Sequence, residues 1–152
     1  MQAHLLQGLG VNAMTDLLRR CDRPSETRGA ASTLFWTLGA KQVGKGAIIA
    51  WRDLILPALS GDAPAAALWP FEGTLAELRA SHPITLCETY PAEAGTHLGI
   101  PPSDADGEDP FDATIGLFGM LEVATGQREE SGPLDPTIQS LEGWMLGMRG
   151  TF

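Results

Sequence analysis

The sequence has few cysteines, few basic residues and no long apolar run. Of its 152 residues only Cys21 and Cys87 are cysteines, and because no CxxC pair occurs they indicate neither a disulfide framework nor a zinc site. Lys and Arg number 10 against 19 Asp and Glu, and the net charge of −9 argues against simple electrostatic binding of nucleic acid. No stretch approaches the roughly 20 apolar residues that cross a bilayer, and the first residues lack the basic segment of a signal peptide. These absences predict a cytoplasmic protein without a membrane partner.

The charge is unevenly spread along the chain. Residues 1–52 carry seven basic and three acidic groups, a balance of +4, whereas residues 53–152 carry three basic and sixteen acidic groups, a balance of −13. Such a chain could meet an anion at one surface and a cation at another. Hydrophobic residues make up 43 % of the sequence, enough for one packed core, and the length predicts one domain over residues 1–152.

Apolar periodicity and turn residues predict alternating helices and strands. The predicted helices cover 11–21, 43–59, 74–80 and 109–126, with a short one after Tyr90, and the predicted strands cover 65–71, 83–90 and residues around 144–148. In the helix 109–126 we expect Ile115, Phe118 and Leu121 to face inward, and Gly116 and Gly119 to let another backbone approach. The alternation predicts an α/β layer fold.

Three carboxylates form the first candidate site. Glu88 ends a predicted strand, where α/β folds commonly place side chains that contact ligands. Asp109 and Asp112 are three residues apart at a helix start, so they point from the same side of the helix. Such oxygen donors, brought together, would bind Mg²⁺ or Mn²⁺ and could clamp a phosphate for displacement.

A structural explanation of the same residues stays open. Asp109 is a favoured helix cap, Pro110 suits the first helical position, and Asp112 follows at the spacing of a capping box. Glu88 could simply mark the exit of a strand into solvent. Spacing alone therefore favours the helix start over the metal site.

The segment GAKQVGKG, residues 39–46, nearly matches a nucleotide-binding P-loop. Gly39, Gly44 and Lys45 fit the pattern, but Gly46 stands where a Ser or Thr would coordinate Mg²⁺. A simpler interpretation is an anion site made by Lys41, Lys45 and backbone N–H groups at a helix start. A glycine-rich helix entrance with two solvated lysines explains the segment at least as well.

Five segments stand in a characteristic order: LFWTLGAKQVGKGAIIAWRDLILPAL, LWPFEG, ITLCETYPAE, DPFDATIGLFGMLEVATG and EGWM. Together they resemble bacterial predicted nucleases with an RNase-H-like fold, a group distantly similar to Holliday-junction resolvases. The resemblance extends from about Arg28 to Met148, and its most specific parts are ETYPAE and DPFDA.

The resemblance implies an RNase-H-like mixed sheet flanked by helices, in which acidic residues hold divalent metal for phosphodiester cleavage. Glu88 matches the family's strand Glu, and Asp109 or Asp112 matches the acids of its last helix, with Asp112 the better match. The family's first three strands, which supply a further Asp, have no counterpart in MQAHLLQGLGVNAMTDLLRR. We therefore expect an N-terminally truncated domain with an exposed sheet edge.

These observations predict a metal-dependent nuclease that meets nucleic acid locally, through Mg²⁺ or Mn²⁺. Its catalytic and metal-binding residues would be Glu88, Asp109 and Asp112, and its phosphate contacts Arg28, Lys41 and Lys45. Two hypotheses from other classes stay open. One is an inactive remnant that binds a protein partner or a second copy through an exposed edge or apolar patch. The other is a degenerate P-loop nucleotide binder.

Overall fold

The computed structural model describes residues 2–25, 28–33, 43–62, 64–101, 108–133 and 135–149. Its helices are α1 (Gln2–Leu9), α2 (Val43–Ala50), α3 (Leu56–Leu59), α4 (Leu75–Ser81), α5 (Pro91–Leu98), α6 (Glu108–Ala124) and α7 (Pro136–Leu141), and its strands are β1 (Ala66–Leu68) and β2 (Ile84–Leu86). A π-helical segment (Trp51–Ile55) follows α2 directly, and two 3-10 turns (Met14–Leu17 and Arg20–Asp22) follow α1. None of the helices within these ranges is long and apolar enough to span a bilayer.

Length predicts one domain, and the structure groups the residues into two compact units, Met1–Ala63 and Pro64–Phe152. The described part of the first unit contains helices and 3-10 turns. The second unit contains both strands, paired in parallel, together with α4 to α7. The prediction of an α/β chain is therefore confirmed, and the β-structure belongs to the second unit.

A continuous helix over residues 43–59 confirms the prediction for that segment. Here α2, the π-helical segment and α3 follow one another without a break, and we call this run helix 43–59. Pro57 has no N–H to bond the Asp53 carbonyl, and its ring crowds that oxygen, so an α-helix cannot continue unchanged. The helix widens instead, because the Leu56 N–H bonds to the Trp51 carbonyl five residues back. The proline thus produces a π turn, and the helix ends at Leu59.

Polar contacts shape the N-terminal part of the first unit. The helix predicted over 11–21 is replaced by the two 3-10 turns. The Asp22 side chain accepts hydrogen bonds from the Arg19 backbone N–H at 3.1 Å and from the Arg19 Nε at 2.8 Å and Nη2 at 3.0 Å. Asp22 is 1 % exposed. Because its carboxylate bonds to the nearby backbone, it favours a turn over a regular helix.

Helix α4 connects the two strands in the sheet of the second unit. In the parallel pair Ala67 lies opposite Thr85, and α4 provides the crossover that parallel strands need. The helix begins with a capping box, in which the Thr74 hydroxyl accepts from the Glu77 N–H and the Glu77 carboxylate accepts from the Thr74 N–H. The predictions of strands within 65–71 and 83–90, and of a helix near 74–80, are confirmed.

The segment after α7 lies beside the carboxyl end of β2. Glu88 forms an isolated parallel bridge with Met145, and its carbonyl accepts a hydrogen bond from the Leu146 N–H at 2.8 Å. The strand predicted around 144–148 is thus reduced to this bridge. Trp144 is buried, and its indole N–H donates to the Met148 carbonyl at 2.7 Å. The buried hydrophobic residues of this unit are Ala66, Ala67, Trp69, Leu75, Leu78, Ala94, Ile115, Val123, Trp144, Met145, Leu146 and Met148.

Small residues let α5 and α6 approach closely. A Cβ added to Gly119 would lie 2.8 Å from the Ala94 Cβ, and one added to Gly116 would lie 3.2 Å from the Thr89 hydroxyl oxygen. The prediction that these glycines admit another backbone is confirmed for Gly119, which lies against Ala94, whereas the neighbours of Gly116 are the side chains of Thr89 and Pro91. The contact leaves no room for larger side chains on this side of α6.

The prediction of which α6 residues face inward is only partly right. Ile115 is buried as expected, but Phe118 and Leu121 are 50 % and 47 % exposed. The buried side of the helix consists of Ile115 with Gly116, Gly119 and Val123. The small residues Gly116 and Gly119 allow a closer contact between helices. The larger apolar residues Phe118 and Leu121 therefore lie on the outside of α6.

A further helix, α7, lies where the sequence predicts a loop. Its cap is Asp135, whose side chain accepts from the Thr137 N–H at 2.8 Å, and Pro136 is its first residue. The same Asp-Pro pair predicts the start of α6 at Asp109. That helix begins one residue earlier, at Glu108, so Asp109 lies in the first turn and not at the cap.

Candidate functional site

Glu88 lies just beyond the carboxyl end of β2, as predicted. Its backbone is held by the bridge to Met145, whereas its side chain is exposed. Asp109 and Asp112 both lie in the first turns of α6, with Asp109 exposed and Asp112 half-buried. Asp112 precedes Gly116 by one helical turn, so it lies on the side of the helix that faces Thr89.

The carboxylates that the metal hypothesis names do not come together as a metal site. Over the described ranges, which include Glu88, Asp109 and Asp112, no three His, Cys, Asp or Glu side chains are grouped so that they could hold a metal ion. Shared ligation of Mg²⁺ or Mn²⁺ needs several oxygen donors at about 2.0–2.6 Å from one point. The assignment of these residues to metal binding stays a prediction without support from their arrangement.

The predicted phosphate-binding residues have different surroundings. Arg28 uses its guanidinium inside its own loop, where Nη2 donates to the carbonyls of Cys21 at 2.7 Å and Arg23 at 2.9 Å, and Nη1 donates to that of Gly29 at 3.0 Å. Lys45 is exposed on α2. Lys41 lies outside the described residues. Arg28 therefore stabilises a loop, and phosphate binding by the three residues stays untested.

Half of the P-loop-like segment is helical. Residues 43–46, which include Gly44 and Lys45, form the first turn of α2. A nucleotide-binding P-loop was expected to need residues 39–46 as a loop between a strand and a helix. Residues 39–42 lie outside the described ranges, so the nucleotide-binding hypothesis stays a prediction.

A shallow cleft borders the bridge between Glu88 and Met145. Tyr90, Glu93 and Arg128 are the titratable residues in its wall, and its volume is about 270 Å³, including space open to solvent. One nitrogen of Arg128, Nη2, donates to the Gly147 carbonyl at 2.6 Å. The space that a water-sized sphere can occupy in the cleft is about 10 Å³, room for about one water molecule, so the cleft is too small to enclose a larger ligand.

Cys87 shows no activation as a nucleophile. Burial raises the pKa of its thiol, and its Sγ contacts the Met120 Sδ at 3.9 Å. A thiol that stays protonated is a poor nucleophile, because the thiolate is the reactive form.

The most unusual features of the surface are apolar side chains on two helices. On helix 43–59 five large apolar residues are exposed by 42 % to 70 %: Ile48, Ile49, Trp51, Leu54 and Leu56. On α6 three more are exposed by 47 % to 50 %: Leu117, Phe118 and Leu121. Single exposed hydrophobic residues are normal, but neighbouring ones along a helix indicate a surface that binds something.

Sequence reasoning missed both surfaces, although the pattern contains a sign of each. Between Ala113 and Leu121 the α6 sequence ATIGLFGML has no charged residue, so no side of this stretch is suited to water alone. Over 43–59 the only charged residues are Lys45, Arg52 and Asp53. An apolar helix without a polar side has to be buried or to bind a partner.

No protein family, curated protein or solved structure matches this chain.

Proposed function

We propose that this chain is a protein-interaction module that assembles through helix 43–59. The observation that carries the proposal is the exposure of five large apolar side chains along this one helix, with Leu54 exposed by 70 %. Removing such surface from water is the main driving force of protein association. A catalytic function has less support, because within the described ranges no three His, Cys, Asp or Glu side chains are grouped to hold a metal ion.

A second copy of the same chain is the partner that fits helix 43–59 best. Its acid Asp53 is paired with Arg52, whose Nε and Nη2 lie 2.6 Å and 2.8 Å from the two carboxylate oxygens. Only Lys45 adds net charge to the helix, so two copies of this surface repel each other little. Two-fold association uses the same surface on both partners, and permanent interfaces of this kind are strongly apolar.

The nuclease hypothesis and the RNase-H-like fold stay predictions. Their support is the sequence resemblance, with Glu88 and Asp112 as its best-matched residues. The described sheet has two parallel strands, whereas the resemblance implies a larger mixed sheet. Cleavage of DNA or RNA in Mg²⁺ or Mn²⁺, lost in both Glu88→Gln and Asp112→Asn, would establish this activity in place of a purely associative role.

Light scattering coupled to size-exclusion chromatography tests the assembly directly. We expect wild-type protein, between about 1 and about 100 μM, to show a mass that rises from 16.1 kDa toward a multiple of it. Leu54→Ser should weaken association about tenfold, and Ile48→Ser/Leu54→Ser should weaken it further.

Leu141→Ser is the matched control, because Leu141 is 76 % exposed but lies on α7. It should associate like the wild type. Far-ultraviolet circular dichroism checks that each variant is folded. A wild-type mass of 16.1 kDa at every concentration, or equal association of Leu54→Ser and wild type, would contradict the proposal.

A further inference from the structure

A second surface, on α6, has a different character from helix 43–59. It is formed by Leu117, Phe118 and Leu121, which lie three and four residues apart and therefore share one side of the helix. The remaining exposed residues of this side are uncharged: Pro110, Ala113 and Thr114. We call these six residues the outer face of α6.

The outer face is a consequence of how α6 packs on α5. The tight contacts of Gly119 with Ala94 and of Gly116 with Thr89 leave the opposite side of the helix uncovered. Because the largest residues are on that opposite side, α6 presents its bulkiest apolar groups outward. A surface helix usually has the reverse arrangement, with charged and polar residues outside.

The charge of the second unit indicates what could cover this face. Residues 64–152 contain three arginines and fourteen acidic residues, a net charge of −11. Two of the arginines donate to backbone carbonyls, Arg79 to that of Ala124 at 2.8 Å and Arg128 to that of Gly147 at 2.6 Å. One acidic residue adjoins the outer face along α6 itself: Asp109 is exposed one residue before Pro110.

We propose that the outer face of α6 binds a basic amphipathic helix of a partner protein. The partner's apolar residues, at helical spacing, would pack against Leu117, Phe118 and Leu121, and its Lys or Arg side chains would lie toward the acidic surroundings. Opposite charges steer such a partner to the surface, and the apolar contacts hold it there.

A second copy of this chain fits the outer face less well. Pairing two such faces would bring together two units that each carry a charge of −11. At physiological ionic strength charges within about 8 Å still repel each other, so Asp109 beside the face would oppose this pairing. The same charge disfavours nucleic acid. Self-association through helix 43–59 does not bear on this argument, because it uses another helix.

Three synthetic helical peptides of equal length test the proposal by fluorescence anisotropy with the full chain. The first has Leu at positions i, i+3, i+4 and i+7 and Lys on its other side. The second replaces Lys with Glu, and the third replaces Leu with Ser but keeps the charge. We expect the Leu/Lys peptide to bind at least about tenfold more tightly than either of the others.

Two protein variants localise the binding. Leu117→Ser/Leu121→Ser should weaken binding of the Leu/Lys peptide about tenfold or more, whereas Leu141→Ser should bind it like the wild type. Both leucines on α6 are about half exposed, so the double variant should fold, as circular dichroism can verify.

Equal binding of the Lys and Glu peptides, or unchanged binding by Leu117→Ser/Leu121→Ser, would overturn the proposal. So would a mass in light scattering that falls only in Leu117→Ser/Leu121→Ser, since a second copy would then occupy the face. Failure of self-association through helix 43–59 would leave the peptide result standing, so the two proposals fail separately.

Discussion

Helix 43–59 and α6 are both long and apolar, yet they differ in how much of each helix is buried. On α6, Gly116 and Gly119 allow close packing against α5, so one side of the helix is fully buried. Among the residues of helix 43–59 whose burial is described, Gly44 alone is buried. Five large apolar residues of this helix are exposed, and Ile55 and Leu59 are half-buried. Apolar content is therefore a poor guide to burial. What matters is whether the helix has a side that a neighbour can approach closely.

The two units also differ in which residues they bury. The second unit has a buried core with Trp69, Leu78 and Trp144 among its members. Among the described residues of the first unit the buried side chains are Cys21 and Asp22, of which Asp22 is acidic. We therefore expect polar contacts to matter more in the first unit and apolar packing more in the second.

The largest expected effect of a single substitution sharpens this contrast in the first unit. Asp22→Ala removes a carboxylate that is 2 % exposed and, with it, the ion pair to the Arg19 side chain, which is 12 % exposed. Breaking a buried ion pair in this way costs about 3–5 kcal/mol. Urea unfolding followed by circular dichroism measures this loss.

Asp53→Ala provides the control for that prediction. Asp53 is also paired with an arginine, Arg52, but both side chains are largely in solvent. We expect no measurable change in the free energy of unfolding. Equal effects of the two substitutions would mean that burial of the Asp22 pair does not stabilise the first unit.

A smaller loss of stability should follow when the close contact between α5 and α6 is disturbed. In Gly119→Ala the new Cβ would lie 2.8 Å from the Ala94 Cβ, so the two helices must move apart. Overpacking of this kind costs about 1–3 kcal/mol, more than the gain from replacing glycine within a helix. The expected result is a lower free energy of unfolding.

A glycine-to-alanine substitution on helix 43–59 should change the free energy of unfolding in the opposite direction. A Cβ added to Gly46 meets nothing within 4 Å. Gly46→Ala should therefore stabilise the chain by about 0.5–1 kcal/mol, since alanine loses less conformational freedom in a helix. If both substitutions stabilise, α5 and α6 are not as tightly packed as described, and the contrast between the two helices is lost.

The smallest expected effect depends on pH and concerns the capping box of α4. Hydrogen bonds from the Thr74 hydroxyl and then from its backbone N–H lower the pKa of Glu77 from its ordinary value of 4.5. A carboxylate whose pKa is lower in the folded state stabilises it above the unfolded pKa, and this contribution disappears as the pH falls through the folded pKa. Glu77→Ala should therefore lower Tm slightly at pH 7 and not at pH 2. A Tm difference that is the same at both pH values would contradict this explanation.

Much of the local structure follows from short stretches of sequence. The helix-forming residues over 74–80 predict α4, and the apolar pattern over 43–59 predicts a helix that the structure confirms. The missed helix α7 begins with Asp135 and Pro136, the same Asp-Pro pair that predicts the start of α6. It has only six residues, and this short length is why the sequence does not indicate it. Caps, prolines and periodicity act within a few residues, so they can be recognised without knowledge of the fold.

The candidate site could not be predicted in the same way. Glu88, Asp109 and Asp112 occupy the elements that the sequence predicts, but among the described residues the three carboxylates are not grouped so that they could hold a metal ion. Arg28 is an available cation in the sequence, yet its loop folds so that the guanidinium bonds to three carbonyls. Residue type and spacing do not determine such contacts.

By itself, the sequence determined the alternation of helices and strands, the charge asymmetry, and the presence of two apolar helices. Only the tertiary structure decided which side of each helix is exposed. It also decided that Glu130 accepts hydrogen bonds from the Trp69 indole and, at 2.8 Å, from the Leu75 N–H, residues more than fifty positions away. The physical reason is that helix faces and strand ends arise from local interactions, whereas burial depends on which distant surfaces fit closely enough to exclude water.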